Sequence, residues 1–160
     1  MAKRQVFYSF HYKKDVMRAA QIRNIGALEG NKSVAENEWE EIKGKGDKAV
    51  EKWIDDNMNY RSCVIVLVGE ETSKRNWVDY EIRKAWNDGK GVLGIYIHNI
   101  KDPKVGKGVK GANPFASIKM KNSDKHLSDY VECYNPKADD AYNDIAANLE
   151  DWVEKAIKAR

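Results

Sequence analysis

The run Ser62-Cys63-Val64-Ile65-Val66-Leu67-Val68 constrains the fold of this chain more than any other stretch. It is apolar almost without interruption and stops at Gly69. A strand with one wet face alternates polar and apolar side chains, whereas an unbroken apolar run belongs to a strand covered on both faces, the usual condition of a parallel sheet. Parallel neighbours cannot be joined by tight hairpins; they need crossovers, usually helices. The rest of the chain should therefore alternate strands with helices.

It does. Gln5-Val6-Phe7-Tyr8-Ser9-Phe10 is short, aromatic and β-branched, and predicts a first strand. Val16, Ala19, Ala20, Ile22, Arg23, Ile25 and Ala27 then recur at helical spacing up to Gly30. Ser33-Val34-Ala35 is the candidate for a short second strand, with a loop as the equal alternative. Ala49, Val50, Trp53 and Ile54 form the stripe of a helix that opens near Asp47, where a carboxylate suits the helix dipole. After the central run comes a helix over Ser73 to Trp86, then a strand at Val92 to Ile97. Residues 101–125 turn to lysine, glycine, asparagine and serine, which predicts a long, mobile basic excursion with one helical turn near Pro114-Phe115-Ala116. Leu127 to Tyr134 is the candidate last strand. Ile145, Leu149, Trp152, Val153, Ala156 and Ile157 define a closing helix over about 138–158.

This pattern predicts an α/β fold: a flavodoxin-like three-layer sandwich around a five-stranded, mainly parallel sheet of order 2-1-3-4-5. A chain of 160 residues, 42% apolar and with five tryptophans, supplies the core of one domain, expected to span 1–160. With 28 basic and 25 acidic residues the net charge is only +3, and no arginine-rich stripe with interleaved aromatics points to nucleic acid. Cys63 and Cys133 make neither a metal cluster nor a disulfide framework. The N-terminal MAKRQVFYSF lacks the apolar segment of a signal peptide, and no stretch approaches membrane-spanning length. The expectation is a soluble cytoplasmic domain without membrane contact.

In such sheets ligands bind beyond the carboxyl ends of the strands at the switch in strand order, here Ser9-Phe10-His11 and Gly69-Glu70-Glu71. Gly106-Lys107-Gly108-Val109-Lys110-Gly111 matches GxGxxG in letters only, because a dinucleotide fingerprint needs a strand before it and a helix at it. A flexible lysine–glycine loop is the better account. Gly44-Lys45-Gly46 opens a helix but follows no strand. A receiver domain shares the architecture, yet it needs acidic residues at the first strand end and a phosphoacceptor aspartate at the third, where this chain has Ser9-Phe10-His11 and Gly69-Glu70. His11, His98 and His126 show no zinc spacing, so no metal site is predicted. Of the three, His11 stands at the ligand edge.

The helix SKRNWVDYEIRKAW carries the remaining signal. Val78, Ile82, Ala85 and Trp86 share one face, with Asn76 or Ser73 available as N-cap. Trp77 and Glu81 stack one turn apart on the flank of that stripe, at a partly walled boundary. A carboxylate in a semi-apolar cleft can stabilise positive charge, such as that of the oxocarbenium-like transition state of glycosidic cleavage. Taken alone, a glutamate on a helix flank is more often a plain surface residue, so spacing does not decide its role.

VFYSFHYKKD, Val6 to Asp15, is similar to the strand-one box of TIR domains, and Trp77-Val78-Asp79-Tyr80-Glu81 resembles their Trp-x-x-x-Glu pattern at the right place after the right strand. GVLGIYIHNIKD and GANPF add a resemblance to bacterial TIR-like proteins of the Thoeris ThsB type. The likeness covers most of residues 3 to 118. It implies that Glu81 is the catalytic glutamate cleaving the bond between nicotinamide and ribose in NAD, and that Ser9, Phe10, His11, Trp39 and Trp77 bind substrate. No cofactor is implied, since NAD is the substrate. The resemblance further implies a cyclic ADP-ribose signal in antiphage defence that acts on a separate effector protein, a phage-derived trigger, and self-association between TIR domains. His11 departs from the arginine common at its position. Two other readings stand beside this one: a non-catalytic TIR-like interaction module, and an enzyme similar to nucleoside deoxyribosyltransferases.

Overall fold

Cys63–Val68 (β2) is the central strand of a parallel sheet and is buried along its whole length. The computed structural model describes residues 3–32, 34 and 36–160. β2 is flanked by Val6–Ser9 (β1) and Gly91–Tyr96 (β3), and β3 by the two-residue Cys133–Tyr134 (β4), every pairing parallel. The helices are Tyr12–Arg23 (α1), Glu36–Gly44 (α2), Asp47–Met58 (α3), Asn76–Asn87 (α4) and Ala141–Lys158 (α5), with 3-10 turns at Thr72–Lys74 and Leu127–Asp129.

The outer edge of β1 carries the second position of the 2-1-3-4-5 order, reduced to one parallel bridge between Gln5 and Glu29. Val6 donates its N–H to Glu29 O, and Glu29 donates back to Arg4 O. One step along, a side chain takes over: Tyr8 N–H donates to Asn31 Oδ1 at 2.9 Å, and Arg23 holds the Asn31 carbonyl at 2.6 Å. A buried edge N–H must find an acceptor, and this amide supplies it without a continuous strand. The expected strand at Ser33-Val34-Ala35 lies partly outside the described residues, since Ser33 and Ala35 are not among them; the second position falls instead at Glu29.

Period-two alternation divides the core. Val6, Tyr8, Cys63, Ile65, Leu67, Leu93 and Ile95 face α1 and α5, where they meet Ala19, Ile22, Ile145, Leu149 and Val153. Phe7, Val64, Val66, Val68 and Val92 face α3 and α4, where Val50, Ile54, Met58, Val78 and Ile82 pack. Ser9, buried at the end of β1, shares the parity of Phe7 and so turns toward α4.

Several expectations are corrected. α1 ends at Arg23 rather than near Gly30, because Asn24 to Leu28 must turn to reach the bridge at Glu29. α2 occupies part of the region left between strand and loop, and its tryptophan packs on α3. The last strand is Cys133–Tyr134 alone, since Leu127–Asp129 is a 3-10 turn closed by His126 N–H donating to Asp129 Oδ2. α4 begins after Arg75 without a side-chain cap, so neither Asn76 nor Ser73 plays that part. The basic excursion is anchored rather than loose: Phe115 is fully buried, Arg18 donates to Ile100 O and Gly106 O at 2.8 and 2.9 Å, and Gly108 N–H donates to His98 O at 2.7 Å.

Candidate active site

Glu81 sits inside the buried stripe of α4. Val78, Glu81, Ile82 and Ala85 are its buried residues, at i, i+3, i+4 and i+7, so the carboxyl takes a core position and not the flank that periodicity predicts. It is 7% exposed, and Ser9 Oγ donates to its Oε1 at 2.7 Å. Burial pushes the Glu81 carboxyl up to about 8, against the pull of the Ser9 hydrogen bond, which favours the charged form. No cation forms an ion pair with it among the described residues.

The site opens into a cavity of about 1030 Å³ above the end of β1, enclosed by α1, α2, α3 and the start of α4. Phe10, His11, Trp39, Trp77 and Glu81 all line it, so five of the six residues singled out in the sequence share one cavity. Ser9 lies beneath its surface, 1% exposed, with its hydroxyl spent on Glu81; its place is behind the carboxylate. Trp77 is half-buried and edge-on to Tyr80 at 5.5 Å, and the Tyr80 hydroxyl donates to Asp55 Oδ1 at 3.0 Å, tying α4 to α3.

His11 has a structural task as well as a wall position. Its Nδ1 accepts from Lys14 N–H at 3.3 Å and caps α1. Burial first, then the charge of Arg75, lower its pKa below the usual imidazole value, so the ring is neutral at pH 7 and its approach of 3.8 Å to Glu71 is a weak contact.

The cavity also gathers residues that the sequence reading passed over. Lys13, Arg23, Lys32, Lys43, Lys74 and Arg75 line it, against the carboxylates of Glu38, Glu40 and Glu81. An excess of cations suits a polyanionic ligand such as a diphosphate. These side chains come from α1, α2 and the loops around α2 and α4, and no local spacing marks them as a set. Among the described residues no cluster of three or more histidine, cysteine or acidic side chains could hold a metal ion, and no helix is long and apolar enough to cross a membrane.

A parallel α/β sheet with a carboxylate in a cleft at the end of its first strand, supplied by the helix after the central strand, has the architecture of a TIR-type domain. Residues 7–102 match the family described as "Thoeris protein ThsB, TIR-like domain", and the chain belongs to that family. Over 120 residues, 72% of its length, it is 38% identical to "Putative cyclic ADP-D-ribose synthase ThsB1" of Bacillus cereus (strain MSX-D12), and that match spans 62% of the relative.

Proposed function

We propose that this protein cleaves NAD at the bond between nicotinamide and ribose and closes the ADP-ribose into a cyclic product, with Glu81 as the catalytic carboxylate. The observation that carries the reading is the buried Ser9–Glu81 pair at the base of a large, cation-lined cavity. The name of the Bacillus cereus relative supports the same chemistry.

Before substrate binds, burial holds Glu81 largely protonated at pH 7. The nicotinamide ring of NAD carries a positive charge, and an opposite charge brought into a low-dielectric cleft favours the carboxylate. Substrate binding therefore draws a proton off Glu81. As the C–N bond breaks, positive charge moves from the nicotinamide to the ribose, and the anion beside it stabilises the oxocarbenium-like transition state. Ser9 orients the carboxylate through Oε1, leaving Oε2 free of that bond. Phe10, His11, Trp39 and Trp77 enclose the substrate, exclude water and set its angle of entry.

The cationic lining favours a substrate with a diphosphate over a bare nucleoside, which sets this reading ahead of a deoxyribosyltransferase-like one. We place the whole described chain in one TIR-like domain working in the cytoplasm. Its cyclic product would act on a separate effector protein in antiphage defence, after a phage-derived trigger, and self-association between copies would accompany activation. The test is nicotinamide release from NAD, in buffer and in lysate of infected cells. Glu81→Gln is expected to lose about 10²–10³-fold in rate while melting as a folded protein; turnover at the wild-type rate in that variant would sink the catalytic assignment.

A further inference from the structure

We propose that the rings of Tyr12 and Trp39 form the adenine-stacking wall of the cavity, and that this wall decides whether the cleaved substrate cyclises or is hydrolysed. The inference rests on the NAD-cleaving reading and extends it to the half of the substrate that undergoes no cleavage.

Aromatic rings run along the wall in sequence. Phe10 stacks on Tyr12 at 6.0 Å with 24° between planes, Tyr12 meets Trp39 at 6.4 Å and 37°, and Trp39 abuts Trp53 edge-on at 5.5 Å. Trp53 in turn meets buried Phe7 at 6.4 Å, so the inner end of the row is anchored in the core. Tyr12 and Trp39 are only half-buried, and both line the cavity. They come from α1 and α2, whereas Glu81 and Trp77 come from α4, so stacking surface and reacting carboxylate occupy separate walls of one space. Its volume lies at the top of the range for small-molecule sites, about 300–1,000 Å³, enough for a dinucleotide bent back on itself. Arg23, Lys32 and Lys43 line the same cavity and suit the diphosphate between the two halves.

Cyclisation needs such a fold. When the bond between ribose C1 and nicotinamide breaks, the electron pair leaves with nicotinamide, which departs neutral. A nucleophilic atom of the substrate's own adenosine half then bonds to C1, and its proton passes through the Glu81 carboxylate to water. Water attacking the same carbon gives linear ADP-ribose instead. An internal nucleophile wins only if it is already held near C1, where its effective concentration far exceeds that of the solvent. A purine has a π-face and two half-buried rings offer the matching surface; stacking of one base is a contact whose removal costs about tenfold in affinity.

The test uses the full chain and two readouts. Calorimetric titration with ADP, which has the adenine and diphosphate but no nicotinamide, should show binding about tenfold weaker in Trp39→Leu and Tyr12→Leu than in wild type. Trp39→Phe and Glu81→Gln should bind like wild type. With NAD, Trp39→Leu should show a ratio of cyclic to linear product about tenfold lower than wild type when the two are compared at equal nicotinamide released; Trp39→Phe should restore the ratio. The two leucine variants sit on different helices, and thermal melting selects whichever keeps the fold. ADP affinity unchanged in the folded variants, or no ADP binding by wild type, overturns the wall. If wild type releases no nicotinamide either in buffer or in lysate of infected cells, the NAD-cleaving reading fails, while the ADP comparison still decides whether adenine stacks there.

Discussion

Among the described residues two carboxyl groups are buried at the carboxyl edge of this sheet, and they differ in access to open space and to counter-charge. Among those same residues Glu81 accepts one hydrogen bond, from Ser9, and pairs with no cation, and it faces a large cavity. Asp15, 1% exposed near the start of α1, has Arg18 at 3.5 Å and is sealed from above. The seal is made of glycine. A Cβ on Gly69 would strike the Asp15 carboxyl, and one on Gly111 would strike the Gly69 carbonyl, so the end of β2 and the lysine–glycine loop close over the aspartate with no room to spare. Burial raises both groups, Glu81 to about 8 and Asp15 to about 6, where the nearby Arg18 pulls against it. A displaced pKa therefore does not by itself tell these two carboxyl groups apart; open space and the absence of a nearby counter-charge do.

The sharpest way to break this contrast is to neutralise each group in turn. Glu81→Gln should lose nearly all nicotinamide release, and Asp15→Asn should keep turnover within a few fold, both read in the same NAD assay; equal losses would erase the distinction. Next in size is the seal. Gly69→Ala and Gly111→Ala should each cost about 1–3 kcal/mol in denaturant unfolding, since the obstacle is backbone or a buried carboxyl that cannot swing aside.

Stability against pH should also differ. An unfolded glutamate titrates near 4.5 and folded Glu81 near 8, so folding favours its protonated form. The stabilisation is complete below pH 4.5 and is lost as pH rises through about 8. Glu81→Gln has no such titration, so denaturation across this window should show the variant gaining on wild type until about pH 8 and then holding level. Ser9→Ala removes the one contact that favours the charged carboxylate, and the acidic limb of the kcat/KM profile should move up by about one pH unit. The smallest effect is expected at His11, which stands between the two regions: His11→Ala removes the α1 cap and should cost about 1 kcal/mol in the same unfolding assay.

Much of this was legible beforehand, for identifiable reasons. The unbroken apolar run of β2 identified a sheet covered on both faces, and the helical stripes between strands followed from the same periodicities. The TIR-like motif led to Glu81, and strand order put Phe10 and His11 at the edge where the cavity lies. What escaped notice has physical causes too. Helical spacing placed Glu81 on a flank because one helix shows only its own wheel, and nothing in that wheel reveals Ser9 arriving from β1, far away in sequence, to receive a buried carboxyl. The second strand could not be read because a single bridge and the side chain of Asn31 do its work. The basic loop looked free because its tethers, Arg18 and His98, lie on other elements.

The sequence by itself determined the alternation of parallel strands and helices and the presence of an acid beside Trp77, since both depend on near neighbours in the chain. Only the tertiary structure decided that Glu81 is buried, bonded to Ser9 and open to a cation-lined cavity, while Asp15 is closed off under glycine. Burial and counter-charge are set by segments that meet only on folding, and they determine what a carboxylate can do.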